Sequence, residues 1–248
     1  MPFTLEICCD SVASGLAAAR GGANRIELCE NLAQGGVTPS VAKIKLAKAQ
    51  LRIPVFVLIR PRKADFLYSE LEFEILLEDI RQAKALGADG IVSGALNADG
   101  TIDEARTRQM VETAGPLPFT FHRAFDMCRN PLAAIDVLAG LGVKRILTSG
   151  QQPNAEAGKA NIKRFVEYAG QRIGIMACGE LLPDNISALL DIEGLTEFHS
   201  AARTEIKSRM LYTGGVNMGD EAVQGEFRWQ EVDERLVRGM RDVLSGPS

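Results

Sequence analysis

The chain has no run of basic residues. Its 28 Lys and Arg are dispersed among 32 Asp and Glu, for a net charge of −4. Without clustered positive charge there is no electrostatic footprint for a polyanion, so nucleic acid and anionic membrane surfaces are excluded as partners. Long apolar runs are also missing. The longest, Pro54 to Ile59, falls far short of a bilayer span. The opening residues Met1 to Asp10 meet an acid at Glu6 where a secretory signal would be apolar. A soluble, cytoplasmic protein is expected. The five cysteines, Cys8, Cys9, Cys29, Cys128 and Cys178, are odd in number, include an adjacent pair and show no Cys-x-x-Cys spacing. That excludes a disulfide framework and a structural zinc site, and leaves thiols. No Gly-x-Gly-x-x-Gly turn follows the first apolar run, and no Pro-, Gly- or Ser-rich linker divides the chain. One domain over residues 1–248 is therefore expected, without the usual dinucleotide turn.

What is present is a repeated unit. Short apolar runs recur at Phe3–Cys8, Arg25–Cys29, Pro54–Ile59, Asp89–Ser93, Pro118–His122, Lys144–Thr148, Ile173–Ala177 and Leu195–His199. Their starts lie roughly 20 to 35 residues apart, the length of one strand, one helix and two short loops in a parallel sheet. Helix signals fall between them. Thr38-Pro39-Ser40 and Asn130-Pro131 place an N-cap before proline at the first helical position, and Gly87 and Gly142 stop helices just before strands. Eight βα units predict an α/β fold, a single (β/α)8 TIM barrel. A long loop follows strand eight, from Ser200 to about Arg228, and includes Tyr212-Thr213-Gly214-Gly215. A loop of this length is a candidate lid, and a C-terminal helix completes the chain.

Side chains alternate along a strand, so one parity meets the helices and the other fills the barrel. Leu5 and Ile7, Ile26 and Leu28, Phe119 and Phe121, and Ile175 and Ala177 suit the helix-facing set. Glu6 and Cys8, Glu27 and Cys29, Thr120 and His122, Met176 and Cys178, and Glu197 and His199 then face inward, and Arg60 shares parity with Phe56 and Leu58. Acids, a guanidinium and both histidines of the chain thus converge where the strands end, the face on which barrels carry their sites. A Glu–Arg pair there can equally be a structural ion pair. The loops add Arg62, Arg123, Asp126 and Ser149. Arg60 and Arg62 suit a carboxylate or phosphate, since guanidinium forks hold planar oxyanions; bracing their own loops through Asp65 or Asp126 is the plainer alternative.

The strings Leu5-Glu6-Ile7-Cys8, Arg25-Ile26-Glu27-Leu28-Cys29, Gly35-Gly36-Val37-Thr38-Pro39-Ser40, Ile59-Arg60-Pro61-Arg62, Phe119-Thr120-Phe121-His122-Arg123-Ala124-Phe125-Asp126 and Ile146-Leu147-Thr148-Ser149-Gly150 resemble those of the CutC family, named for copper homeostasis. The resemblance runs to about Ser200 and implies a single cytoplasmic (β/α)8 barrel with a part in copper tolerance. Two positions depart from the family pattern. Lys63-Ala64 stands where a glycine pair is usual, and Ala177-Cys178-Gly179-Glu180 replaces a glycine-rich stretch after strand seven. A carboxylate at Glu180 repels phosphate, so the standard barrel phosphate site is not expected.

Two functions are expected as alternatives. In the first, copper(I) is held by soft ligands, Cys8 and Cys29, with help from Cys178, Met176 or His199. In the second, the chain is an enzyme acting on a small anionic metabolite. Glu6, Glu27 and His122 then serve as acid and base, and Arg60, Arg62, Arg123, Asp126, Ser149 and His199 hold the substrate. A metal-independent binding protein is the remaining reading. Self-association into a homo-oligomer through helix faces is compatible with the sequence, and no residue argues for it.

Overall fold

The structure is a computed structural model and describes residues 3–212 and 226–246. Eight strands close a parallel barrel in chain order: β1 (Thr4–Cys9), β2 (Arg25–Leu28), β3 (Val55–Leu58), β4 (Gly90–Ser93), β5 (Phe119–Phe121), β6 (Arg145–Thr148), β7 (Gly174–Ala177) and β8 (Glu197–Ser200). β1 pairs with β8 in the register Glu6↔His199 and with β2 in the register Cys8↔Glu27. These two pairings set the site. The strands read as continuous apolar runs because both faces are covered. Leu5, Ile7, Ile26, Leu28, Phe119 and Phe121 are fully or almost fully buried and belong to the core shared with the helices.

The helices are α1 (Val12–Arg20), α2 (Val41–Gln50), α3 (Glu70–Ala85), α4 (Glu104–Ala114), α5 (Pro131–Gly140), α6 (Lys159–Ala169) and α7 (Glu234–Ser245). Between β7 and β8 a single 3-10 turn, Ile186–Leu189, stands in place of an α-helix. Most starts carry the expected chemistry. Ser69 and Glu72 form a capping box on α3, and Asn130 caps α5 with Pro131 in its first turn. The start of α2 corrects one expectation. Ser40, after the proline, is the cap, its hydroxyl accepting from the Lys43 amide. Thr38 is drawn off instead, because its Oγ1 accepts the Arg60 amide at 3.0 Å. Gly87 and Gly142 do terminate their helices, at φ of +85° and +81°.

The long segment after β8 is not wholly loop. It opens with β9 (Arg203–Lys207) and closes with β10 (Arg228–Val232), paired antiparallel as a separate ribbon. Arg-Thr-Glu-Ile-Lys is mostly polar and half-exposed, which hides a strand from any hydrophobic pattern. Of the expected lid motif, Tyr212 is exposed, and Thr213-Gly214-Gly215 lie outside the described residues. α7 buries Val237, Met240 and Leu244 and packs against α1 and the Ile186–Leu189 turn, tight against Gly21, where a Cβ would lie 2.6 Å from Val237 Cβ.

Candidate functional site

Alternation along β1, β2, β6 and β8 brings a chain of charges into the barrel. The Arg25 guanidinium donates to both Glu6 and Glu197, and Arg145 Nε meets Glu197 Oε2 at 3.0 Å. Both guanidiniums lie over the Phe56 ring, at 5.0 and 5.3 Å from its centre. That ring fits because β4 has glycine opposite it, where a Cβ at Gly90 would lie 2.6 Å away. The other Glu6 oxygen takes His199 Nδ1 at 2.7 Å. Burial pushes the Glu6 carboxyl up, but Arg25 and His199 outweigh it and hold the group at about 2. Burial likewise opposes charge on His199. Its contacts with Cys8 and Glu6 and the charge of Glu27 prevail, so it is an imidazolium well above its ordinary range.

Above this network sit the thiols. Cys8 Sγ donates to Glu27 Oε2 at 3.0 Å and lies 3.7 Å from Cys29 Sγ, which in turn meets the Cys9 carbonyl at 3.4 Å. His199 Nε2 is 3.8 Å from Glu27 Oε2. Ligand atoms of Cys8, Glu27 and His199 all lie within 4.8 Å of one another, close enough to share an ion. Cys8 is held protonated, its thiol pushed well up by the Cys29 contact and by burial. For Cys29 the Cys8 contact favours the thiolate, yet burial and Glu27 leave it raised. Burial raises Glu27 too.

Cys8, Glu27 and His199 line one side of a cavity of about 180 Å³ at the C-terminal end of the strands; Arg60, Phe66, His122 and Arg123 line the other. The two histidines therefore face a common space, but in opposite states. His122 Nδ1 accepts the Ala124 amide at 3.3 Å, which puts its proton on Nε2. Burial, reinforced by Arg60, lowers its pKa to about 3. Arg60 is held by carbonyls: Nη1 by Gly35 and Gly36 at 3.1 and 2.9 Å, Nη2 by Ala64 at 2.6 Å. Ala64 sits at φ +77°. The left-handed turn is thus kept without glycine, at a cost of about 1 kcal/mol or more.

Other expected site residues are spent elsewhere. Arg62 is bound by Glu72 at 2.5 Å and Asp65 at 2.9 Å. Asp126 gathers Thr148 Oγ1, the Ser149 and Gln151 amides and Arg123 Nε, so Asp126 and Ser149 tie the loops after β5 and β6 together. None of these three lines the cavity. Glu6 is wholly enclosed, and its partners make it a positioning group. Met176 takes the Arg25 Nη2 at 3.1 Å, in the charge network below the thiols. Cys178 is buried apart, with Leu147 and Met176. The sequence reading missed Arg25, Arg145 and Phe56, although Arg25 shares the parity of Glu27 on one strand.

Fold and interior together define a (β/α)8 barrel with a small cavity at its C-terminal mouth, whose lining includes a thiol, an imidazolium and a buried guanidinium. The model of the CutC family matches residues 3–204, and the chain belongs to that family. It is 45% identical to the family protein CutC of Chromobacterium violaceum over 245 residues, covering 98% of this chain and 99% of that one. It is also 45% identical to the human copper homeostasis protein cutC homolog, over 97% of this chain and 89% of the relative. A solved structure of CutC from Streptococcus agalactiae superposes with a TM-score of 0.77 at 35% identity, over 80% of this chain and 98% of the other. The ribbon's second strand and α7 lie beyond the family match. Among the described residues no helix is long and apolar enough to cross a membrane.

Proposed function

We propose that the chain serves copper homeostasis by holding copper(I) on Cys8 and Cys29 at the barrel mouth. The reading is supported by the names of the mouse and human relatives, both copper homeostasis protein cutC homologs. The observation that carries it is the 3.7 Å between two buried sulfurs, of which that of Cys8 lines the cavity. Thiolates are the soft donors that select copper(I). The donor set fits the ion. Binding requires the thiols to give up protons. Glu27, hydrogen-bonded to Cys8 and with its carboxyl raised by burial, is placed to take one, and the His199 imidazolium offsets the negative charge that results. A reducing cytoplasm, which keeps such thiols free, is the compartment this chemistry requires.

The test is anaerobic competition for copper(I) against a strong chelator. The native chain is expected to take one equivalent, and the Cys8→Ser, Cys29→Ser double variant to take none. Full retention by the double variant would overturn the thiol site.

A further inference from the structure

Among the described residues, buried Arg60 forms no salt bridge, and Asp65 acts on it only as a weaker charge nearby. Arg25 is matched by Glu6 and Glu197, and Arg145 by Glu197. Arg60 is 6% exposed, its Nη atoms donate to the carbonyls of Gly35, Gly36 and Ala64, and its Nε has no hydrogen-bond partner. Carbonyl dipoles orient a guanidinium without neutralising it, and buried charges are as a rule paired. His122, 5% exposed, repeats the pattern: Nδ1 is taken by the Ala124 amide, and the proton-bearing Nε2 has no acceptor among the described residues. Both groups lie against the Phe66 ring, Arg60 at 4.9 Å and His122 at 4.8 Å from its centre. Arg123 brings a second guanidinium to the same lining.

We infer that this half of the cavity is a binding site for a small carboxylate, separate from the thiols. One unpaired N–H on Arg60 and one on His122 offer a donor to each oxygen of a planar carboxylate. A phosphate dianion fits less well, because Glu27 stands across the cavity and repels it. Size narrows the class further. At about 180 Å³ the cavity suits a small molecule. Neither nitrogen is open to water, so the ligand reaches them by displacing the Phe66 ring that lies against both.

The experiment is calorimetric titration of the whole copper-free chain with acetate, pyruvate and inorganic phosphate as probes. At least one carboxylate is expected to bind the native chain and to bind the Cys8→Ser, Cys29→Ser variant equally well. Arg60→Met and His122→Phe are each expected to weaken it tenfold or more. His122→Phe keeps an aromatic ring beside Phe66, so it decides the matter should the loss of Arg60 impair folding. Absence of binding by both carboxylates, undiminished affinity in His122→Phe, or binding of phosphate in their place would each overturn the assignment.

Discussion

Replacing Glu6 by Gln keeps the side chain's shape and removes one charge from the centre of the barrel. The carboxylate is fully enclosed and shared between Arg25 and His199. Its folded pKa of about 2 lies below an ordinary 4.5. At about 1.4 kcal/mol per pH unit, that gap corresponds to ~3 kcal/mol of stability at neutral pH. Loss of one partner from a buried ion pair costs about 3–5 kcal/mol, in agreement. The sign follows from the direction. A depressed carboxyl contributes in full above pH 4.5, and the contribution fades as pH falls from there through about 2. Denaturant unfolding of Glu6→Gln is therefore expected to show a loss of ~3 kcal/mol or more at pH 7, shrinking as the pH is taken down to 3. A loss below ~0.5 kcal/mol at pH 7, or one that stays flat down to pH 3, would refute the shared-carboxylate reasoning.

With only two imidazoles in the chain, proton NMR resolves both. His122 should stay neutral until the pH nears about 3, and His199 should stay charged well above 6.5 and titrate at lower pH in Glu6→Gln; two ordinary titrations near 6.5 would contradict the site electrostatics. Because Cys8 and Cys29 are raised thiols, apparent copper(I) affinity should climb with pH by up to about tenfold per unit for each proton displaced; a pH-independent affinity in chelator competition would count against thiolate ligation. Gly36 sits at φ +82°, with room for a Cβ blocked by Leu58 Cδ2 at 2.7 Å. Gly36→Ala should thus cost ~1–3 kcal/mol in thermal or denaturant unfolding, and an unchanged stability would show that the turn holding Arg60 is not strained.

The barrel was legible because its signal is repetitive. Each strand is a short apolar run, and the period of two places Glu6, Glu27 and His199 inside without knowledge of any contact. Register is what the pattern does not carry. Whether Arg25 and Arg145 meet Glu197 depends on the stagger of β6 and β8 around the closed sheet. Arg62 and Arg60 look alike in the string Arg60-Pro61-Arg62, yet opposite fates follow from neighbours far along the chain. Glu72, in the first turn of α3, takes Arg62, while the turn at Gly35 and Gly36 takes Arg60. The ribbon after β8 was hidden for a different reason. Its strands are half-exposed and polar, and they pair only with each other.

The central claim is that Cys8 and Cys29 grip one copper ion. X-ray absorption at the copper edge, on protein loaded anaerobically with one equivalent of copper(I), reads the ligands directly. Two sulfur neighbours in the native chain, both lost when Cys8 and Cys29 are serine, are the expected result. A spectrum built from nitrogen and oxygen alone, or one unchanged by the double substitution, would contradict the claim.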